Sequence, residues 1–234
     1  MRHARNRIAF SLTLGAVLCI HEAHARDAWS YDLIPFVWTS SLDGQQQISQ
    51  VGVDMDAFGS LWDFNNIGGA LRFSAHGESL SLFGEVDFLD LDQDGLGPLG
   101  NTRLAIKQII AEAGVSYSFN DLFAVYGGAR YQDLDNQLTL AGVESQVAQS
   151  WVDGMVGVQW TPVATNSWLV WLRSDIGGGG SDLMWMVETG TAYAWSDRNA
   201  VYLAWRLLDT EYQKDDFLYD VQQDGLMLGF GFRF

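Results

Sequence analysis

One cysteine, three prolines, four histidines and thirteen basic residues are all that 234 residues hold of those types, and each scarcity excludes something. Cys19 falls within the first 25 residues, so the rest of the chain has no disulfide and no thiol nucleophile. His3, His21 and His24 fall there too, which leaves His76 alone. A zinc centre needs several His or Cys ligands, and most hydrolytic mechanisms need a positioned histidine, so metal and catalytic chemistry are both short of parts. Lys and Arg total 13 against 29 Asp and Glu, and that acidity opposes nucleic acid as a partner, because phosphate contacts need clustered cations. Beyond the amino-terminal segment no apolar run reaches 18 residues, which excludes spanning helices.

The first 25 residues read as a secretory leader: Arg2, Arg5 and Arg7, an apolar run from Ile8 to Ile20, and Ala23-His24-Ala25 as a small-x-small cleavage site. Leu18 before Cys19 is too bulky for a lipoprotein box, so no lipid anchor is expected. The leader holds three arginines and one glutamate, and its removal takes the net charge from −16 to −18. Residues 26–234 are one domain.

What is plentiful is aromatic and alternating. Ten Trp, thirteen Phe and eight Tyr accompany 25 glycines. In Gly225 to Phe234, Leu226, Leu228, Phe230, Phe232 and Phe234 share one face at a period of two, and Gly225, Met227, Gly229, Gly231 and Arg233 share the other. Similar alternation returns in nine more segments: Trp29 to Thr39, Ile67 to Ala75, Leu80 to Asp90, Leu104 to Phe119, Leu122 to Asp133, Trp151 to Trp160, Trp168 to Ile176, Leu183 to Trp195 and Ala200 to Tyr212. Repeated strands with one apolar face and one small or polar face predict an all-β fold: a closed antiparallel transmembrane barrel, with lipid outside and polar groups within.

Connections alternate between short and long. Short turns at 76–79, 120–121, 162–166 and 196–199 are expected to face the periplasm, and longer loops at 40–66, 91–103, 134–149 and 213–217, with the Gly177 to Gly180 run, to face outward. Both termini then share the periplasmic side, which requires an even strand number. Ten is expected, with twelve if Gln45 to Val53 is a full strand, or eight if the first strands are miscounted. Asp56 to Asn65 reads as a short amphipathic segment packed on the barrel rim.

The inward faces are expected to carry Glu85, Asp87, Glu112, Asp153, Asp175 and Glu188 against Arg72, Arg130, Arg173 and Arg206, with Arg233 near the periplasmic end. Charges in a narrow barrel are costly unless paired, and arginine forks satisfy carboxylates two bonds at a time, so the interior is read as a salt-bridged plug. The excess acid then lies at the outer strand tips, among them Asp90, Asp133, Asp209 and Asp220. Asp90 to Gly95 resembles the start of a calcium loop, but its twelfth position is Asn101 where that motif needs glutamate, so no metal or other cofactor is expected. His76 is read as a solvated turn residue, and catalysis is disfavoured.

Gly127 to Leu134, Ser150 to Asp153, Asp175 to Leu183 and above all Phe217 to Phe234 resemble a family of small, uncharacterised proteobacterial outer-membrane barrels, of the OmpA-like or porin-like kind. The resemblance implies residence in the outer membrane and insertion by the barrel-assembly machinery, which reads a carboxy-terminal aromatic such as Phe234. It supplies no catalytic residue. The expectation is a monomeric, non-enzymatic barrel in contact with outer-membrane lipid, with a plugged lumen, serving envelope structure or surface interaction. A narrow channel or small-solute-binding barrel is the alternative.

Overall fold

A computed structural model describes residues 29–48, 51–54, 67–97, 100–140 and 143–234. The expected leader and the 56–65 segment lie outside the described residues. Among the described residues twelve strands run β1 (Ser30–Thr39), β2 (Ser41–Ile48), β3 (Val51–Asp54), β4 (Ile67–His76), β5 (Leu80–Gly97), β6 (Gly100–Ser118), β7 (Phe123–Leu140), β8 (Val143–Ala164), β9 (Trp168–Gly178), β10 (Leu183–Ser196), β11 (Asn199–Lys214) and β12 (Phe217–Arg233). Ten of them, β1 and β4 to β12, pair antiparallel in sequence, and β1 closes the ring on β12. The β1–β4 ladder is continuous, whereas the β1–β12 ladder skips Ile34 and Pro35, where proline has no N–H to give.

The expected first loop is partly strand. β2 continues β1 along the far half of β12, with Ser41 opposite Asp224 and Ile48 opposite Phe217, and β3 folds back on β2. Gln45 to Ile48 therefore belong to β2 and Val51 to Val53 to the short β3, and the two do not form one separate wall strand. The described residues of the loops expected at 91–103 and 134–149 are strand too: β5 to β8 run 18, 19, 18 and 22 residues. A tilted crossing needs about 9–11 residues, so these strands stand well beyond one.

The reason is an inversion of polarity along the long strands. Near the short turns Leu80, Leu82 and Phe88 of β5 are exposed while Glu85 and Asp87 are buried; further along, Asp90 is exposed while Leu89 and Leu91 are buried. β11 does the same, with Leu203 outside and Arg206 inside, then Glu211 outside and Leu208 and Tyr212 inside. β12 matches, with Leu228 and Phe230 outside near its end and Asp220 outside against Tyr219 and Val221 at its start. One part of the barrel thus wears its apolar face outward, and the other buries it in an ordinary core of Leu89, Leu91, Ile106, Leu134, Trp151, Tyr212, Phe217, Tyr219 and Val221. The Trp151 and Tyr212 rings stack 4.2 Å apart in that core.

Glycines make room for the inward aromatics. A Cβ at Gly157 would press on Tyr126, at Gly190 on Trp171, at Gly229 on Phe36 and at Gly231 on Tyr202. Gly190→Ala is expected to cost about 1–3 kcal/mol, read as a lowered urea midpoint, because its methyl meets both the Trp171 ring and the Leu203 carbonyl. Gly69→Ala, with open space at its Cβ, should leave the midpoint unmoved.

Candidate functional site

Strand register lays the charges in rows around the lumen. Arg72 of β4 stands opposite Glu85 of β5, Glu85 opposite Glu112 of β6, Glu112 opposite Arg130 of β7, and Arg130 opposite Asp153 of β8. A second row sets Arg173 of β9 opposite Glu188 of β10, and Glu188 opposite Arg206 of β11. Side chains cross the lumen and join the rows. Glu188 takes Arg72 at 2.7 Å and Arg206 at 2.7 Å, with Arg173 at 3.6 Å. Glu85 bonds both Arg72 and Arg206, and Asp87 adds a third carboxylate to Arg206 at 3.1 Å. Glu112 accepts from Arg130 at 2.7 Å and Arg173 at 2.8 Å, and Arg130 reaches Asp175 at 3.0 Å.

Four arginines and five carboxylates thus form one connected web, with Glu188 as its hub, and every carboxylate side chain in it is at most 4% exposed. Tyr126 donates its hydroxyl to Asp175 at 2.8 Å, Trp171 donates to Glu188 at 3.1 Å, and Met184 and Met186 lie against Arg130. Bidentate geometry and low exposure make this a tightly paired network on the inward faces of the barrel.

Asp153 differs from the sequence reading. It is buried as expected and faces Arg130 in register, but its carboxylate accepts the backbone N–H of Gly180 at 3.0 Å and of Ser181 at 2.7 Å. It ties down the β9–β10 turn, where Gly179 takes a positive φ of 126°. Backbone donors contributed by a glycine run leave no trace in a list of charged residues. Phe234 sits at the closing seam, exchanging two 3.0 Å backbone bonds with Tyr31 and stacking on its ring at 5.9 Å.

The second arrangement lies at the short-turn mouth. His76 is the last residue of β4, directly opposite Ser81 of β5, and is not the turn residue that the sequence suggested. Its Nε2 lies 3.2 Å from the Asp32 carboxylate and its Nδ1 lies 3.3 Å from Ser81 Oγ. Asp32 also takes two 2.8 Å bonds from Arg233. Asp32, His76 and Ser81 line a cup of about 210 Å³ with Ser74, Ser116, Ser118, Gln159, Tyr126, Trp171 and Tyr202, closed beneath by Arg72 and Arg173. The one signal available beforehand was that only four residues, 77–80, separate His76 from Ser81; Asp32, 44 residues before His76, arrives through the β1–β4 ladder. Among the described residues no group of three or more His, Cys, Asp or Glu could hold a metal ion.

No family model matches the chain, and no curated protein matches it. Among solved structures it is similar to Ail, the attachment invasion locus protein of Yersinia pestis, at 12% identity over 89% of this chain and 100% of that one, with a TM-score of 0.46. Neisserial surface protein A is similar at 14% identity, 87% and 97% coverage and a TM-score of 0.38. The translocator domain of the autotransporter NalP from Neisseria meningitidis follows at 10% identity, 87% and 88% coverage and 0.40.

Proposed function

We propose that the chain is an exported outer-membrane barrel whose lumen is sealed, and that it serves the envelope as a structural or surface-contact element and not as a pore. The inversion of polarity carries this reading. Exposed Val37, Leu71, Val156, Val158, Leu203, Leu228 and Phe230 match a hydrocarbon slab, and Trp160, Trp168, Trp195 and Tyr193 near the short turns match an interfacial girdle. Beyond the band the outward face turns to Asp133, Asp135, Glu211 and Asp220, as a wall in water requires. Short turns and both chain ends then face the periplasm, where Phe234 is offered to the assembly machinery.

The seal has two layers. The ion-pair web crosses the lumen, and the apolar core fills it beyond. An ion crossing the web would have to displace arginines already satisfied by carboxylates, and beyond it Leu91, Ile106, Leu134 and Val221 are packed at no more than 2% exposure. In planar bilayers the pure protein is expected to leave the membrane silent. Steady unitary steps that change with Arg130→Ala or Arg206→Ala would establish the channel instead.

A further inference from the structure

We propose that Asp32, His76 and Ser81 form a serine-nucleophile site that hydrolyses small acyl esters entering the short-turn cup. The inference goes beyond the sealed-barrel reading and does not depend on it, since the cup lies on one side of the web whether or not the web conducts.

The geometry supplies the parts such chemistry needs. A hydroxyl within reach of an imidazole, itself held by a carboxylate, is the general arrangement of an activated nucleophile. In the tautomer with its proton on Nε2, His76 donates to Asp32 and leaves the Nδ1 lone pair facing Ser81 Oγ. Arg233 grips Asp32 through both oxygens and so fixes the ring that Asp32 holds. The His76 side chain is 42% exposed, and both it and Ser81 face the cup, so a solute reaches them. The roles divide accordingly: Ser81 is the nucleophile, His76 the base and then the acid, and Asp32 a positioning residue.

In the first step Ser81 Oγ bonds the ester carbonyl carbon and its proton passes to His76 Nδ1. The C–O bond to the alcohol then breaks, and His76 returns that proton to the departing alkoxide. Water, deprotonated by His76, attacks the acyl-serine; the acid leaves and Ser81 recovers its hydrogen. Ser116, opposite Ser81 across the β5–β6 ladder, lines the same cup and can donate to the oxyanion.

The floor selects the substrate class. Arg72 and Arg173 are 13% and 9% exposed, while their partner Glu188 is wholly covered, so cationic faces meet the cup and carboxylates stand behind them. Trp171 and Tyr202, 6.1 Å apart, supply an aromatic wall. A cavity of this size takes a short acyl ester whose other half is flat and carries an anionic group.

The test uses the full folded barrel in detergent. A fluorophosphonate probe followed by peptide mapping is expected to mark Ser81. His76→Gln should slow that labelling about a hundredfold, while Ser150→Ala, at an exposed position outside the cup, leaves it unchanged; heat-modifiable migration verifies folding of each variant. Hydrolysis of 4-acetoxybenzoate should exceed that of phenyl acetate about tenfold in kcat/KM, the advantage of one charge-assisted contact. An unmarked Ser81, equal marking of Ser81, Ser116 and Ser118, or labelling indifferent to His76→Gln in a folded barrel would overturn the site. Should His76→Gln fail to fold, Ser81→Ala removes one hydroxyl only, and ester turnover surviving in it gives the same refutation. Equal rates on the two esters would overturn the assignment of the floor.

Discussion

Glu188→Leu is expected to lose the folded barrel, or to lower its stability by about 3–5 kcal/mol. Glu188 is wholly buried and accepts from Arg72, Arg206 and the Trp171 indole, with Arg173 beside it. Without the carboxylate, cations packed in one lumen face each other across low dielectric, with only Glu85, Glu112 and Asp87 still partnering them. Removing one member of a buried pair costs more than the pair is worth, because the survivor stays buried and charged. The measurement is a urea titration in detergent, followed by heat-modifiable migration. Arg206→Met made in the same chain should recover part of the loss by removing one stranded cation. Additive losses in the double variant would show that the web is not coupled.

The second large effect lies on the outer face. Val156→Arg, at a position 61% exposed, is expected to cost about 2–4 kcal/mol when the barrel folds into lipid vesicles, because the charge enters hydrocarbon. Asp220→Arg, exposed beyond the apolar band on β12, should cost next to nothing. In a soluble protein both would be mild surface changes. The difference between two exposed sites, measured by urea refolding into vesicles, therefore reports the surrounding solvent and not the fold.

The barrel was legible in the sequence wherever one phase held. The outward runs from Leu80 to Phe88 and from Leu226 to Phe234, the even strand number and the short turns all follow from period two with apolar residues outside. The search for that single phase also hid the extensions. Past Phe88 and Leu207 the same period continues with Asp90 and Glu211 outside, so a strand in water looks like an acidic loop to a reader expecting lipid. The charged lumen residues were named from phase alone, but their partners were not. Adjacent-strand neighbours such as Arg72 and Glu85 follow once register is known, whereas Glu188 meets Arg72 across 116 residues and the width of the lumen. Asp153 escaped for another reason: its donors are backbone amides. His76 was misplaced because strand ends shift by a residue or two, and one residue decides whether a side chain points to water or into the mouth.

The most direct test of the account is a spin-label accessibility scan in lipid vesicles, made simple because Cys19 is the sole native thiol and lies in the expected leader. Single cysteines at Val156, Leu203 and Leu228 should be relaxed by dissolved oxygen and shielded from a water-soluble nickel chelate, with the preference reversed at Asp135, Glu211 and Asp220. Ready access of the nickel chelate to 156, 203 and 228 would contradict the membrane band, and with it the sealed barrel built around it.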